Sequence, residues 1–289
     1  MKYAYYPGCS LKATGIEYDM STKKVCEALG IDLWEIPDWN CCGASSAHLT
    51  NHLLALALPA RNLAIAEKEG LDVAISCAAC YARCKTSEVA AKESKEMAKT
   101  ISEVIERPYE AKNTVRSLVD IVNNDLGLDK VKAMVSNPLK DLKAVSYYGC
   151  LLVRPEKISI DNPEDPTALD KITAATGATP IEWSCKTECC GASHATSDQP
   201  MGLSMVEKIL DGAKNSGADC IITACPMCMS NLDMRQSQVE AKTGKKYNIP
   251  VLYFTQLIGL AIGLNPKELG LDKHFVNTME ITKKNSQAS

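Results

Sequence analysis

The chain has 289 residues, 46% of them hydrophobic and 23% charged, which suits either one large globular domain or two of ordinary size. A formal net charge of −3, with no stripe of basic residues, excludes a nucleic-acid binder. The opening MKYAYYPGCS lacks the apolar core and cleavage site of a signal peptide, the most apolar run (from Leu53) is broken by Pro59 and Arg61, and LIGLAIGL (257–264) is too short for a bilayer, so no membrane span and a cytoplasmic location are expected.

In chain order, KYAYY (2–6) favours a β-strand that ends at Gly8-Cys9. Residues 45–70, which follow the pair Cys41-Cys42, have helical spacing and end at a glycine. LDVAIS (71–76) has the apolar, β-branched character of a buried strand and leads into Cys77-x-x-Cys80, which opens a helical pattern over 81–106. NPLKD (137–141) is a turn signal. The order then recurs: a strand in KAVSYY (143–148) ending at Gly149-Cys150, the pair Cys189-Cys190, a helix in 201–217, a strand in DCIITA (219–224), and Cys225-x-x-Cys228 opening a helical pattern over 229–244. Pro226 suits the first turn of that helix.

The recurrence is close in sequence as well as in order. YYPGCSL (5–11) echoes SYYGCLL (146–152), CCGASSAH (41–48) echoes CCGASHAT (189–196), and VAISCAAC (73–80) echoes IITACPMC (221–228). In both halves 34 residues separate the second cysteine of the CC pair from the next one. LGLDK occurs at 126–130 and again at 269–273, towards the end of each half. This points to duplication of one unit, with domains at 1–142 and 143–289. Strands alternating with helices predict an α/β fold of two related halves, each a small, mostly parallel sheet flanked by helices. Sites in such folds form at the carboxyl ends of strands, where helix N-termini stabilise thiolates.

Ten of the 14 cysteines repeat: Cys9, Cys41, Cys42, Cys77 and Cys80, then Cys150, Cys189, Cys190, Cys225 and Cys228. Cys26, Cys84, Cys185 and Cys220 do not, and are read as packing residues. In a reducing compartment this many cysteines indicates metal binding or catalysis, not a disulfide framework. Tetrahedral zinc and a cubane [4Fe–4S] cluster each need four ligands, whereas each half offers five. The pattern by itself leaves iron–sulfur and zinc both open. Gly43 and Gly191 after the CC pairs, and Gly8 and Gly149 before the first cysteines, let the chain turn sharply beside a bound group.

With Cys-x31-CCG-x33-CxxC followed by Cys-x38-CCG-x33-CxxC, the chain resembles, over nearly its whole length, proteins with a doubled cysteine-rich CCG domain. YYPGCSL and YFTQLIGLAIGL (253–264) are similar to the B-type subunit of the methanogen heterodisulfide reductases. The resemblance implies two non-cubane [4Fe–4S] clusters, the first held by Cys9, Cys41, Cys42, Cys77 and Cys80 and the second by Cys150, Cys189, Cys190, Cys225 and Cys228. It implies reduction of the coenzyme M–coenzyme B mixed disulfide to two thiols in methanogenesis, with each cluster taking one substrate sulfur. It also implies partners: an iron–sulfur subunit with cubane clusters and a flavoprotein subunit, in a complex with a hydrogenase or formate dehydrogenase. No flavin is expected on this chain, which has neither GxGxxG nor a Walker A loop. Other readings are an iron–sulfur CCG subunit serving lactate, glycolate or quinone chemistry, and a zinc-binding electron-transfer or structural module.

The substrate so implied is anionic, which makes Lys12, Arg83, Arg154 and Lys186, all close to cysteines of the motif, candidate substrate-binding residues. His48 and His194 are candidate proton donors, although they do not align in the repeat: Thr196 faces His48 and Ser46 faces His194. Ordinary solvated charges and structural histidines are the competing reading for all six.

Overall fold

In the computed structural model, which describes residues 1–44, 46–279 and 281, the anticipated strands form and recruit edge strands that the pattern did not reveal. The first sheet comprises β1 (Lys2–Tyr6), β2 (Asp32–Glu35), β3 (Val73–Ile75) and β4 (Val115–Ser117), in the order β2-β1-β3-β4. The second comprises β5 (Lys143–Tyr147), β6 (Thr179–Pro180), β7 (Cys220–Thr223) and β8 (Val251–Tyr253), in the order β6-β5-β7-β8. All strand pairs are parallel. The duplicated α/β fold is therefore present, with one strand order in both halves.

The central strands are the ones the sequence marked. Apart from Lys2 and Lys143, β1, β3, β5 and β7 are buried along their whole length, as expected of parallel strands covered on both faces. Helices supply the crossovers that parallel neighbours require: Ile16–Leu29 joins β1 to β2, His52–Lys68 precedes β3, and Gln199–Asn215 precedes β7. The long helical reading of 81–106 is divided in two, Ala78–Glu93 and Lys95–Ile105. Ser94 breaks the run with an extended backbone and caps the second helix by accepting from the Met97 N–H. The reading of 229–244 likewise becomes Pro226–Met234 and Gln236–Thr243, with Pro226 in the first turn.

The LGLDK echo is not a structural repeat. Its first copy runs from a π-helical turn (Ile121–Gly127) into the helix Leu128–Met134, whereas the second contributes a 3-10 turn, Leu271–Lys273.

The halves pack through the helix Ile16–Leu29 of the first and Phe254–Ala261 of the second. Ser21 and Thr255 hydroxyls meet at 2.7 Å, and the rings of Tyr18 and Tyr253 stack at 3.9 Å and 6° from parallel. Among the described residues no helix is long and apolar enough to cross a membrane.

Candidate metal centre

Each half delivers its cysteines in the same way. Cys9 and Cys77 lie just past the carboxyl ends of the adjacent strands β1 and β3, as do Cys150 and Cys225 past β5 and β7. Cys77 and Cys225 are the N-cap residues of helices Ala78–Glu93 and Pro226–Met234, so Cys80 and Cys228 lie in the first turns, at the positive end of the helix dipole. The CC pairs are held by equivalent tyrosines at the ends of β1 and β5. Tyr6 donates to the carbonyl of Asn40 at 2.9 Å, and Tyr147 to that of Glu188 at 2.7 Å, in each case the residue just before the pair. Asn62 adds a two-sided clamp on Asn40, accepting from its N–H at 2.9 Å and donating to its carbonyl at 2.8 Å.

The thiols lie in contact with one another. Cys9 and Cys41 are 3.9 Å apart, Cys42 and Cys80 3.4 Å, and Cys190 and Cys228 3.6 Å. Cys77 and Cys80, Cys77 and Cys225, and Cys225 and Cys228 lie close enough to shift one another's ionisation, so a string of interacting thiols links one half to the other. Cys150 and Cys189 interact in the same way. Cys42, Cys77, Cys80, Cys190, Cys225 and Cys228 are buried, Cys150 and Cys189 half-buried, and Cys9 and Cys41 exposed.

Electrostatics favours thiolates at one member of each CC pair. The Cys80 thiol holds Cys42 down to about 7 against the opposing effect of burial, helped by the Ala44 N–H and the Arg83 charge. The Cys150 thiol holds Cys189 down to about 6, helped by the Gly191 N–H and the charge of His194. Cys225, beside the thiols of Cys228 and Cys77, lies well below the ordinary thiol range.

Among the described residues no three His, Cys, Asp or Glu side chains are arranged as a cage for one metal ion. A string of sulfur donors, free of carboxylate, suits a soft, thiolate-bound multinuclear centre better than a hard cation. Cys26, Cys84, Cys185 and Cys220, read as packing residues, are all buried, and burial alone pushes Cys26 up to about 12.

The four glycines divide into two kinds. Gly8 and Gly149 have φ of +72° and +64°, and a Cβ on them would lie 2.8 Å from the Cys80 sulfur and 3.1 Å from the Cys228 sulfur. These are the glycines that leave room at the thiols. Gly43 and Gly191 also have positive φ, but a Cβ there would meet Ala47 and Leu58, or Met205 and Gly202. They admit the following helix instead.

A cavity of about 540 Å³ opens on all five second-half cysteines of the motif. Its first-half wall includes Ala78, Ala79, Arg83 and His48; Leu151, Met227 and Thr196 stand on the second-half side. Of the four candidate cations only Arg83 lines it. Lys12 is paired with Glu35 at 2.8 Å and Asp19 at 3.5 Å. Lys186 is buried against Asp165, Glu182 and Asp170, and Arg154 meets Glu164 at 3.4 Å and Thr187 at 3.3 Å. His48 lines the cavity, whereas His194 is not among its lining residues and lies near Cys189. Tyr6, Tyr147 and Tyr18 were not singled out from sequence; the alignment of Tyr6 with Tyr147, each three residues before the first cysteine of its half, was the signal for the first two.

The family profile of the cysteine-rich CCG domain matches residues 3–85 and 144–233. Over 282 residues the chain is 32% identical to the 8-methylmenaquinol:fumarate reductase membrane anchor subunit of Wolinella succinogenes, covering 97% of this chain and 99% of that one. Over 290 residues it is 33% identical to the B-type subunit of the ferredoxin/F(420)H(2)-dependent CoB-CoM heterodisulfide reductase of Methanosarcina acetivorans, covering 98% and 96%. A solved structure of a hypothetical protein from Helicobacter pylori shares the fold, with a TM-score of 0.76 at 15% identity. That superposition covers 96% of this chain and 52% of the other, so the chain spans about half the length of that protein.

Proposed function

Because this chain belongs to the cysteine-rich CCG domain family, with two copies of the domain, we propose that it is the catalytic iron–sulfur subunit of an oxidoreductase that reduces the coenzyme M–coenzyme B mixed disulfide to its two thiols. The observation that carries this reading is the paired set of five cysteines at equivalent strand ends, beside a cavity. Cys9, Cys41, Cys42, Cys77 and Cys80 would hold one four-iron cluster of non-cubane type, and Cys150, Cys189, Cys190, Cys225 and Cys228 the other. When bound, the clusters would supply the two electrons that cleave the S–S bond. The domains proposed are 1–142 and 143–289.

The chain's own residues provide the setting. Tyr6 and Tyr147 fix the backbone entering each CC pair, and the helix N-termini at Cys77 and Cys225 stabilise negative charge on sulfur. Two protons must reach the product thiolates, and His48, which lines the cavity, is the proposed donor, with His194 beside Cys189 as the second. Electrons would come from a partner iron–sulfur subunit with cubane clusters, fed by a flavoprotein and a hydrogenase or formate dehydrogenase, in the cytoplasm.

The reading is tested by purifying the protein without oxygen and measuring iron, acid-labile sulfide and zinc. About eight irons per chain are expected, two clusters of four. Cys42→Ala and Cys190→Ala should each remove about half of that iron. A colourless protein holding zinc would overturn the reading. The similarity to the Wolinella subunit supports a second one, in which the same centre serves quinone-linked electron transfer. A paramagnetic signal induced by the mixed disulfide, and absent with a menaquinol, favours the first; the reverse favours the second.

A further inference from the structure

Among the described residues five carboxylates are buried: Glu17, Asp19, Glu88, Asp170 and Asp233. Four of them have partners that hold a negative charge. Asp19 pairs with Lys12 and Lys23, Glu88 with Lys85 and Lys92, and Asp170 with Lys186. Asp233 accepts from the N–H groups of Phe275 at 2.8 Å and Val276 at 2.9 Å. Glu17 differs. Among the described residues it forms no ion pair, and its side chain accepts from the Tyr253 hydroxyl at 3.3 Å.

Glu17 stands in the first turn of the helix Ile16–Leu29 and is covered by the second LGLDK stretch. Gly270, at φ +71°, is so close that a Cβ on it would lie 2.6 Å from the Glu17 Cβ. The echo that is not a structural repeat thus has a local task, closing over this carboxyl. On the other side lies Tyr253. A Cβ on Gly15 would lie 3.5 Å from the Tyr253 hydroxyl oxygen, 3.3 Å from the Pro226 Cβ and 3.3 Å from the Ser10 carbonyl oxygen. Ser10 and Pro226 directly follow Cys9 and Cys225, so the hydroxyl that holds Glu17 is lodged where thiol-bearing turns of the two halves meet.

The surroundings set how this carboxyl responds to charge. Burial pushes it above the usual carboxylate range, and the Tyr253 donation does not offset that. Asp233, on the helix Pro226–Met234, acts in the same direction as burial, whereas Lys273, exposed on the covering turn, favours the carboxylate. Burial also raises Asp233 itself, raises the Tyr253 phenol well above its ordinary value and holds His274, beside Lys273, down to about 4; Asp272 lies on the same turn. A buried carboxyl without a cation answers added negative charge nearby by binding a proton.

We propose that Glu17 balances charge when the thiolate-held centres are reduced: one electron, taken from an iron–sulfur donor, is accompanied by one solvent proton, which forms an O–H bond on the Glu17 carboxylate. No bond in the protein breaks. Tyr253 and the Gly270–Lys273 turn are positioning elements that set the pH at which this happens. The inference rests on the iron–sulfur reading of the site and holds for a disulfide or a quinone as substrate.

The test is potentiometric titration of the anaerobically prepared, cluster-loaded chain between pH 5 and 9, with dithionite as reductant and the visible spectrum as readout. In the native protein the midpoint potential should fall as the pH rises through one window and level off on either side. The total fall should correspond to at least a tenfold weakening of reduction, about 59 mV for one electron. Glu17→Gln keeps the volume and cannot titrate, so its potential should not move with pH. Tyr253→Phe and Lys273→Gln each remove a group that favours the carboxylate, and should move the window to higher pH. Asp233→Asn should keep the fall. A native potential independent of pH overturns the proposal, as does a fall that survives in Glu17→Gln or disappears in Asp233→Asn. Should Glu17→Gln not load clusters, a window unmoved in Lys273→Gln, a change at the surface, overturns it. A native chain that holds no iron overturns the iron–sulfur reading along with this inference, whereas a loaded chain with a pH-independent potential removes the role of Glu17 alone.

Discussion

The Tyr18 hydroxyl lies 3.3 Å from the carbonyl oxygen of Ala224, 206 residues further along the chain. The same hydroxyl lies 3.1 Å from the carbonyl of Ser76, so its one hydrogen is shared between the residues immediately before Cys77 and Cys225. A single side chain of the first half thus ties together the two strand ends that present the CxxC motifs. Tyr18 is fully buried, and its ring stacks on Tyr253.

Tyr18→Phe keeps the stacking and removes the donor. Two buried carbonyls would lose a partner, and the expected loss is about 1–3 kcal/mol. Urea unfolding of the loaded protein should show a lower midpoint with an unchanged slope. A midpoint equal to that of the native protein would mean that the shared hydrogen bond does not hold the halves in register.

Glycine substitutions separate backbone strain from crowding at the thiols. Gly8, Gly149 and Gly70 all have φ near +70°. A Cβ on Gly70 meets nothing within 4 Å, whereas on Gly8 it lies 2.8 Å from the Cys80 sulfur and on Gly149 3.1 Å from the Cys228 sulfur. Gly70→Ala should cost about 1 kcal/mol of left-handed strain. Gly149→Ala should cost more and Gly8→Ala most, each with loss of iron from its own half. Iron content in Gly8→Ala equal to that in Gly70→Ala would show that the contact with Cys80 is not limiting.

The central strands, the cysteine sets and the duplication are legible in the sequence because each rests on local pattern: apolar runs for β1, β3, β5 and β7, and spacing for the thiols. The edge strands DLWE and VRS carry polar residues and are three or four residues long, so they exist only because a buried neighbour offers them a ladder. The fates of the cations were also out of reach. Lys12 and Lys186 find carboxylates that are remote in sequence, at Glu35 and Asp165, whereas Arg83 pairs with no carboxylate among the described residues, and proximity to a cysteine in the chain does not distinguish these cases.

His274 makes stability sensitive to acid. Its side chain is buried, its Nε2 accepts from the Gln256 side-chain amide N–H at 2.8 Å, and its Nδ1 lies 3.9 Å from an Asp233 carboxylate oxygen, with Asp272 nearby. Burial pushes it down to about 4, from an ordinary value of 6.5. Between those values the unfolded chain binds a proton that the folded chain refuses. Its contribution is therefore fully present above pH 6.5 and is lost as the pH falls towards 4, by about 3 kcal/mol at most. His274→Gln should flatten the stability profile in that window relative to the native protein. Parallel profiles for the two would refute this assignment.

Lys186 should matter to stability and not to substrate. Burial works to lower its pKa, but the hydrogen bonds to Asp165 and Glu182 outweigh burial and hold it above the ordinary lysine value. Its ammonium also lies 3.7 Å from Asp170, which is buried and hydrogen-bonded by Tyr148 at 2.7 Å. The Lys186 carbonyl accepts from the N–H groups of Tyr148 and Gly149, so the residue anchors the turn that carries Cys150. Lys186→Met keeps the carbonyl and the apolar stem but leaves the Asp170 carboxylate without its cation. Because two of the three partner carboxylates are exposed and can be solvated, the expected loss is about 2–3 kcal/mol, below the full cost of breaking a buried pair. Calorimetry should show the lower melting temperature, while binding of the coenzyme M–coenzyme B mixed disulfide to the loaded protein stays within twofold of native. A tenfold loss of binding at native stability would place Lys186 in contact with substrate and reverse this assignment.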